Sequence, residues 1–216
     1  MRYLPLKQFA KHVTAPRNSL RPIAGLDVGK ELVGVAWSDE TKTFVTPGLT
    51  LKRKHPRNSP EAVKAFATRL GHALASKHVC GLVVGLPIGR DDAELTPLAR
   101  EIINLMDGVA QCAQVGATIT TTTTAPDGGV GSGGTGLGSL ACAGSGGVDL
   151  LEGLGRDVAF TFWDERYSTF EARRLMSAKQ GGRKGRYQQE KDRVAAAFIL
   201  QGFQESMLGG GQWDDQ

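Results

Sequence analysis

The segment RPIAGLDVGKELVGVAWS, residues 21–38, contains two short apolar runs joined by a link of four residues. The runs are Arg21–Asp27 and Leu32–Ser38, and such a short link between them predicts a β-hairpin. A third run, Phe44–Leu51, follows the turn-like residues 39–42. Three strands with short links predict an antiparallel start to a sheet.

Downstream of these strands the pattern changes to alternating helices and strands. Ser59 and Pro60 form a helix entry, and apolar residues recur at helical spacing until about Lys77. The other predicted elements are a buried strand at Cys80–Leu86, a helix at Thr96–Met106, a strand at Val158–Trp163, a helix that begins in the capping box Ser168–Glu171, a basic loop at Gln180–Gln189 and a helix at Glu190–Met207. Strands linked by helices predict a parallel part of the same sheet.

Residues 107–155 break this pattern. They include TITTTTTAPDGGVGSGGTGLGSLACAGSGG, which is poor in large apolar residues and has no period. Because such a composition buries too little apolar surface to offset its ordering entropy, we predict a disordered Gly/Thr-rich insertion. The order of the other elements predicts an α/β, ribonuclease H-like fold, with a mixed five-stranded sheet and helices on both faces.

Composition restricts the class of protein. The 216 residues, 40% of them hydrophobic and 22% charged, suit one globular domain, and the net charge of +4 permits an anionic partner. No apolar run is long enough to cross a membrane, and no apolar segment follows the basic N-terminus, so we expect neither a membrane partner nor secretion. The three cysteines are isolated, which argues against disulfides and zinc.

Residues 1–26 contain five basic residues and no acidic one. This composition is compatible with an organellar transit peptide and equally with a basic extension that leads into the fold. We therefore expect a cytoplasmic protein or a chloroplast or mitochondrial one. The expected organisation is an extension at residues 1–20, one ribonuclease H-like domain at 21–207 that includes the insertion, and a flexible tail at 208–216.

Three carboxylates lie where this order of elements brings chain segments together: Asp27 ends the first strand, Glu165 follows the strand that ends at Trp163, and Asp192 begins the last helix. Singly, they have simpler interpretations as a turn former, a partner of Arg166 and a helix N-terminal residue. Together they would repel one another unless a cation neutralised them, and oxygen ligands favour Mg²⁺ or Mn²⁺.

The segments GLDVGKELVGVAWSD, GLVVGLPIG, WDERYSTFEARRLM and KDRVAAAFILQGF occur in this order. Because of these segments, the chain resembles the YqgF family of Holliday-junction resolvases and precursor ribosomal RNA nucleases, which have a ribonuclease H-like fold. The resemblance covers roughly Arg21–Met106 and Val158–Met207. The resemblance implies that Asp27, Glu165 and Asp192 are the acidic metal-site residues. The chain departs from the family at the insertion and in the loop IGRDDAELTP, which lacks the usual Asn.

The resemblance implies a hydrolase that cuts phosphodiester bonds in structured RNA or branched DNA, and the residues alone do not decide between these substrates. In a two-metal site, Asp27 would bridge the ions, with Glu165 and Asp192 each holding one side. The ions would activate a water and stabilise the entering and leaving oxygens. A junction resolvase would be expected to act as a homodimer, because it cuts symmetric strands.

Basic residues form two groups with a predicted role in phosphate contact. The group nearest the predicted site consists of Arg183, Lys184, Arg186, Lys191 and Arg193, and the other of Lys52, Arg53, Lys54, His55 and Arg57. Solvated loops explain the same residues, and more readily for the second group. Arg166 is a separate candidate for contact with the scissile phosphate, and pairing with Asp164 explains it equally well. The four histidines show no ligand spacing and are interpreted as surface or helix residues.

Two other functions are compatible with the residues. GLDVGKELVGVAWSD also resembles the first phosphate loop of actin-like ATPases and sugar kinases, but those phosphotransferases need a duplicated domain for which 216 residues leave no room. A non-catalytic nucleic-acid-binding or ribosome-associated module would keep the fold without turnover. The three carboxylates favour the nuclease over both.

Overall fold

The computed structural model describes residues 1–54, 56, 59–88, 95–119, 157–164 and 184–208. Within these ranges, side chains are described except for those of residues 115–119, 184–188 and 207–208. No helix in the described ranges combines the length and the apolar character that a membrane span requires. The predicted insertion, apart from its first residues, and the predicted helix that begins at Ser168 lie outside the described residues.

The described strands form one mixed sheet. They are β1 (Arg2–Tyr3), β2 (Ile23–Val28), β3 (Leu32–Ser38), β4 (Val45–Lys52), β5 (Gly81–Leu86) and β6 (Ala159–Asp164), in the spatial order β1-β6-β5-β2-β3-β4. Strands β2, β3 and β4 are antiparallel, whereas β5 and β6 continue the sheet parallel to β2. This order confirms the ribonuclease H-like fold. The sheet has six strands instead of the expected five, because β1 adds a short edge beside β6.

Helices cover both faces of the sheet, as predicted. They are α1 (Leu6–Thr14), α2 (Pro60–Ala75), α3 (Pro97–Ile119) and α4 (Lys184–Leu208). Phe66 of α2 and Ile102 of α3 belong to the core cluster that contains Leu26 of β2. On the other face, residues of α1 and α4 pack against Ile23 and Val83. Strand β2 thus serves both cores by the alternation of its side chains.

Two helices are longer than the sequence pattern predicted. Helix α3 continues to Ile119, because Val109 and Ala113 remain buried on the face that Ile102 begins. Residues 107–119 therefore belong to a helix and not to the predicted insertion. Helix α4 begins at Lys184 instead of Glu190, so most of the predicted basic loop at 180–189 is helical where it is described. The residues of α4 that precede Glu190 are mainly Lys, Arg, Gln and Tyr, which are compatible with a helix.

The first eighteen residues pack on the sheet. Phe9 and Val13 of α1 are fully buried, and the Nε2 atom of His12 hydrogen-bonds to the backbone carbonyls of Cys80 and Asp157 at 3.2 and 3.1 Å. Since carbonyls only accept, Nε2 carries the hydrogen. His12 is therefore a buried residue of α1 that joins this helix to the strands, so of its two predicted interpretations, a surface residue or a helix residue, the second is correct.

Helix α4 rests directly on the backbone of β2 and β3. An added Cβ on Gly34 would clash with the backbone carbonyl of Asp192, and one on Gly25 would lie 2.6 Å from that of Ala196. A side chain at either position would push the helix off the sheet. Glycine in two adjacent strands therefore permits the close approach of α4.

We expect Gly34→Ala to lower the free energy of unfolding by about 3 kcal/mol, the upper part of the range for overpacked cores, because the clash is with backbone and not with a movable side chain. Urea unfolding would measure the change.

Gly202→Ala is the matched control on the same interface. Its Cβ would meet only the indole of Trp163, at 3.3 Å from Nε1 and 3.9 Å from Cε2, and alanine favours a helix interior by about 1 kcal/mol over glycine. We therefore expect this variant to be near neutral. Equal losses for the two variants would show that α4 is not held against β3 as described.

Candidate functional site

The predicted site lies at the carboxyl ends of the parallel strands. Leu26 pairs with Val84, so the next residue, Asp27, lies level with Gly85, which in turn pairs with Trp163. Strands β2 and β6 are two interstrand spacings apart, or about 10 Å. The strand between them contributes glycine at this level. Open α/β sheets commonly bind ligands beyond these strand ends.

Asp27 faces helix α4. Its register partner is Gly34, and opposed residues of an antiparallel pair share one face of the sheet. On that face, the backbone of Asp192 lies against Gly34. The structure therefore brings Asp27 and Asp192, two of the three predicted carboxylates, to one place on the α4 face, as the order of elements predicted.

Asp192 lies in the interior of α4 and is 6% exposed. It is eight residues beyond Lys184, about 12 Å along the helix axis. The helix dipole stabilises acidic side chains only within the first turn, so it does not account for Asp192. The interpretation of Asp192 as a residue that begins the helix is therefore wrong. A carboxylate this buried costs free energy unless it is paired, hydrogen-bonded or bound to a cation.

The neighbouring Asp164 faces away from this pair. Trp163 packs on Phe203 of α4, and successive side chains of a strand alternate, so Asp164 is directed to the face that carries α2 and α3. Glu165 lies outside the described residues. Among the described residues, no group of three His, Cys, Asp or Glu side chains is arranged to hold a metal ion.

Arg53 lies beneath the hairpin turn that follows Asp27. Its side chain is 2% exposed and forms an ion pair of 2.9 Å with Glu101 of α3. Its Nη1 donates to the carbonyl of Gly29 at 3.1 Å, and its backbone N–H donates to the carbonyl of Glu31 at 2.7 Å. The prediction of a phosphate-contacting Arg53 is therefore wrong, because this guanidinium is committed to holding the turn.

The basic residues nearest the predicted site are only partly described. Arg193 donates to the carbonyls of Gln189 and Gly48, both at 3.3 Å, and so ties α4 to strand β4. Lys191 is half-buried beside Asp192. The remaining residues are Arg166 and Arg183, which lie outside the described residues, and Lys184 and Arg186, whose backbone alone is described within α4.

Two residues that shape the site were missed from the sequence. Gly34 interrupts the apolar run LVGVAWS, and an isolated glycine in a strand is a signal of close backbone approach. Arg53 gave no such signal, since it stands among other basic residues and its partner Glu101 is distant in sequence.

A profile of the RuvX family, described as Holliday junction resolvase, matches residues 21–124 and 148–206. A protein of Roseobacter denitrificans named "Putative pre-16S rRNA nuclease" is 30% identical over 184 residues, 85% of this chain and 82% of its own length. A protein of Caulobacter sp. with the same name is 29% identical over 206 residues, 95% of this chain and 94% of its own. These matches favour the nuclease over the phosphotransferase.

Among solved structures, Thermus thermophilus RuvC in complex with a Holliday junction substrate is similar to this chain with a TM-score of 0.44 and 14% identity. The similarity covers 88% of this chain and 96% of that one.

We expect Arg53→Met to lower the free energy of unfolding by at least about 2 kcal/mol. Loss of one partner of a fully buried ion pair typically costs about 3 to 5 kcal/mol, and Glu101, at 21% exposed, retains some solvation. The measurement is urea unfolding.

The control is the double variant Arg53→Met, Glu101→Met. We expect it to recover much of the loss, because apolar replacement of both partners is often near neutral. If single and double variants were equally destabilised, the bonds to the turn, and not the ion pair, would carry the effect.

Proposed function

Since this chain belongs to the RuvX family of nucleases, we propose that it hydrolyses phosphodiester bonds of precursor 16S ribosomal RNA with divalent metal ions held by Asp27, Glu165 and Asp192. The substrate is proposed from the names of relatives that cover most of this chain. A four-way DNA junction is the second candidate, because the family description names that substrate.

The observation that carries the proposal is the placement of Asp192. A buried carboxylate in the middle of α4 lies against Gly34, the register partner of Asp27. Two carboxylates on one face of the sheet at the same strand end can offer oxygen ligands to one divalent cation, whose charge would offset their mutual repulsion.

The donor set fits magnesium or manganese. Asp27 and Asp192 supply carboxylate oxygens, which are the ligands that these hard cations prefer. Glu165 is proposed as the third ligand from the sequence, because it directly follows strand β6. When bound, a pair of such ions would lower the pKa of a water and stabilise the entering and leaving oxygens of the displacement.

The protein's own contribution is to hold these carboxylates in place. Asp27 is fixed by the ladder between β2 and β3, and Asp192 by the packing of α4 on Gly34 and Gly25. Positions set by strand and helix backbones vary less than positions on loops, and fixed geometry is what metal-assisted displacement requires.

We expect Asp27→Asn, Glu165→Gln and Asp192→Asn each to lower metal-dependent cleavage about 100-fold or more, because a lost ligand removes several kcal/mol of charge stabilisation. Cleavage of a precursor 16S RNA fragment and of a four-way DNA junction would be measured side by side with Mg²⁺ or Mn²⁺.

Asp164→Asn is the matched control, since it removes a carboxylate from the same strand ends but from the opposite face. It should retain most activity. Cleavage by Asp27→Asn at the wild-type rate would overturn the metal site. A wild-type protein that bound both substrates and cut neither would indicate the non-catalytic module.

A further inference from the structure

Three exposed lysines surround the hairpin turn next to Asp27. Lys30 lies in the turn itself, whereas Lys52 ends β4 opposite Leu32, the first residue of β3. Lys54 follows two residues later and is also exposed. We call Lys30, Lys52 and Lys54 the lysine rim.

The buried Arg53 determines the direction of the rim. Because this residue turns inward to Glu101 and to the carbonyl of Gly29, its two lysine neighbours are left facing solvent. The backbone bond from Arg53 to Glu31 joins the end of β4 to the turn. The rim therefore lies on a turn and a strand end that Arg53 joins to each other.

The exposed residues around the turn carry a net positive charge. Within the described part of this region, Glu31 is the exposed acidic neighbour, and the charge of Arg53 is balanced by Glu101. Three lysines and one glutamate leave an excess of two positive charges. The adjoining carboxylates would repel a phosphate backbone, so a cationic surface beside them offsets that repulsion for an anionic polymer.

The spacing also suits a nucleic-acid strand. Strands β2 and β4 are two interstrand spacings apart, about 10 Å, which is the length of about three nucleotide steps at a rise of 3.4 Å. A strand whose scissile bond lies at Asp27 would therefore reach Lys52 and Lys54 within a few nucleotides.

We propose that the lysine rim binds the phosphate backbone of the nucleic-acid substrate on the β4 side of the carboxylates. The inference rests on the proposed nuclease function and deepens it by naming the surface along which the substrate leaves the site. Phosphate contacts of this kind position a substrate without reading its sequence.

The test is the double variant Lys52→Gln, Lys54→Gln, with binding of a fluorescent precursor 16S RNA fragment measured in Ca²⁺ across a range of salt concentrations. Loss of two phosphate contacts should reduce the slope of log K against log salt by about 1.4 to 1.8. In Mg²⁺, KM should rise about tenfold or more while kcat stays near the wild-type value, because the rim does not touch the reacting atoms.

The matched control is Lys11→Gln, Lys77→Gln. Both residues are exposed lysines at the opposite end of the sheet, and the pair makes the same change in net charge. It should leave the salt slope and KM unchanged. Thermal unfolding of both variants would confirm that the fold is retained.

The outcomes separate the two proposals. If the wild type cuts RNA and the rim variant keeps the wild-type slope and KM, the lysines are solvated surface and this inference fails alone. If the wild type binds RNA with a slope that the rim variant lowers but cuts nothing, the surface stands and the catalytic proposal fails. A wild type that neither binds nor cuts overturns both.

Discussion

The close contact of α4 with the face of β2 and β3 is the constraint on which the site depends. Strands and helices normally pack through side chains, but here Gly34 and Gly25 bring the helix backbone down to the sheet. This contact places Asp192 beside the strand that pairs with Asp27. The core on this face and the proposed metal site therefore depend on the same contact between α4 and the sheet. A mutation that displaces α4 would lower both the free energy of unfolding and the rate of the proposed reaction.

The charged residues around the site differ in their burial. Asp192 is buried on the α4 face, whereas Arg53 and Glu101 form a buried pair under the turn on the other side of Asp27. Such a pair contributes little net stability against apolar residues of similar size, so its value lies in fixing the backbone at Gly29 and Glu31. The lysine rim lies further out and is exposed to solvent. A polyanion would thus meet lysines first and carboxylates last.

The sequence was sufficient where local signals and topology coincide. The hairpin whose first strand contains Asp27 follows from its apolar runs, and the cap of α2 follows from Ser59, whose Oγ accepts from the N–H of Ala62. It failed where distant packing decides the outcome. Helix α3 continues beyond the predicted end at Met106 because Val109 and Ala113 are still buried in the core, and α4 begins early in a segment that composition assigned to a loop. The role of Arg53 depends on Glu101, a partner that no local pattern reveals.

The two ends of the sheet differ in how their polar and charged side chains are placed. At the amino ends of β2 and β5, Nζ of Lys42 donates to the carbonyls of Asn18 and Ser19, while His12 bridges the strands. Burial lowers the pKa of Lys42 and raises the pKa of Cys80, as expected where water is excluded. Polar groups there are satisfied by backbone carbonyls, so that end contributes rigidity. At the carboxyl ends, carboxylates and lysines accumulate beside glycines that leave space. The hydrogen bonds at the amino ends make the sheet rigid, and a rigid sheet holds charged groups at its carboxyl ends in fixed positions. This difference between the two ends favours the carboxyl end as the place where substrate is bound.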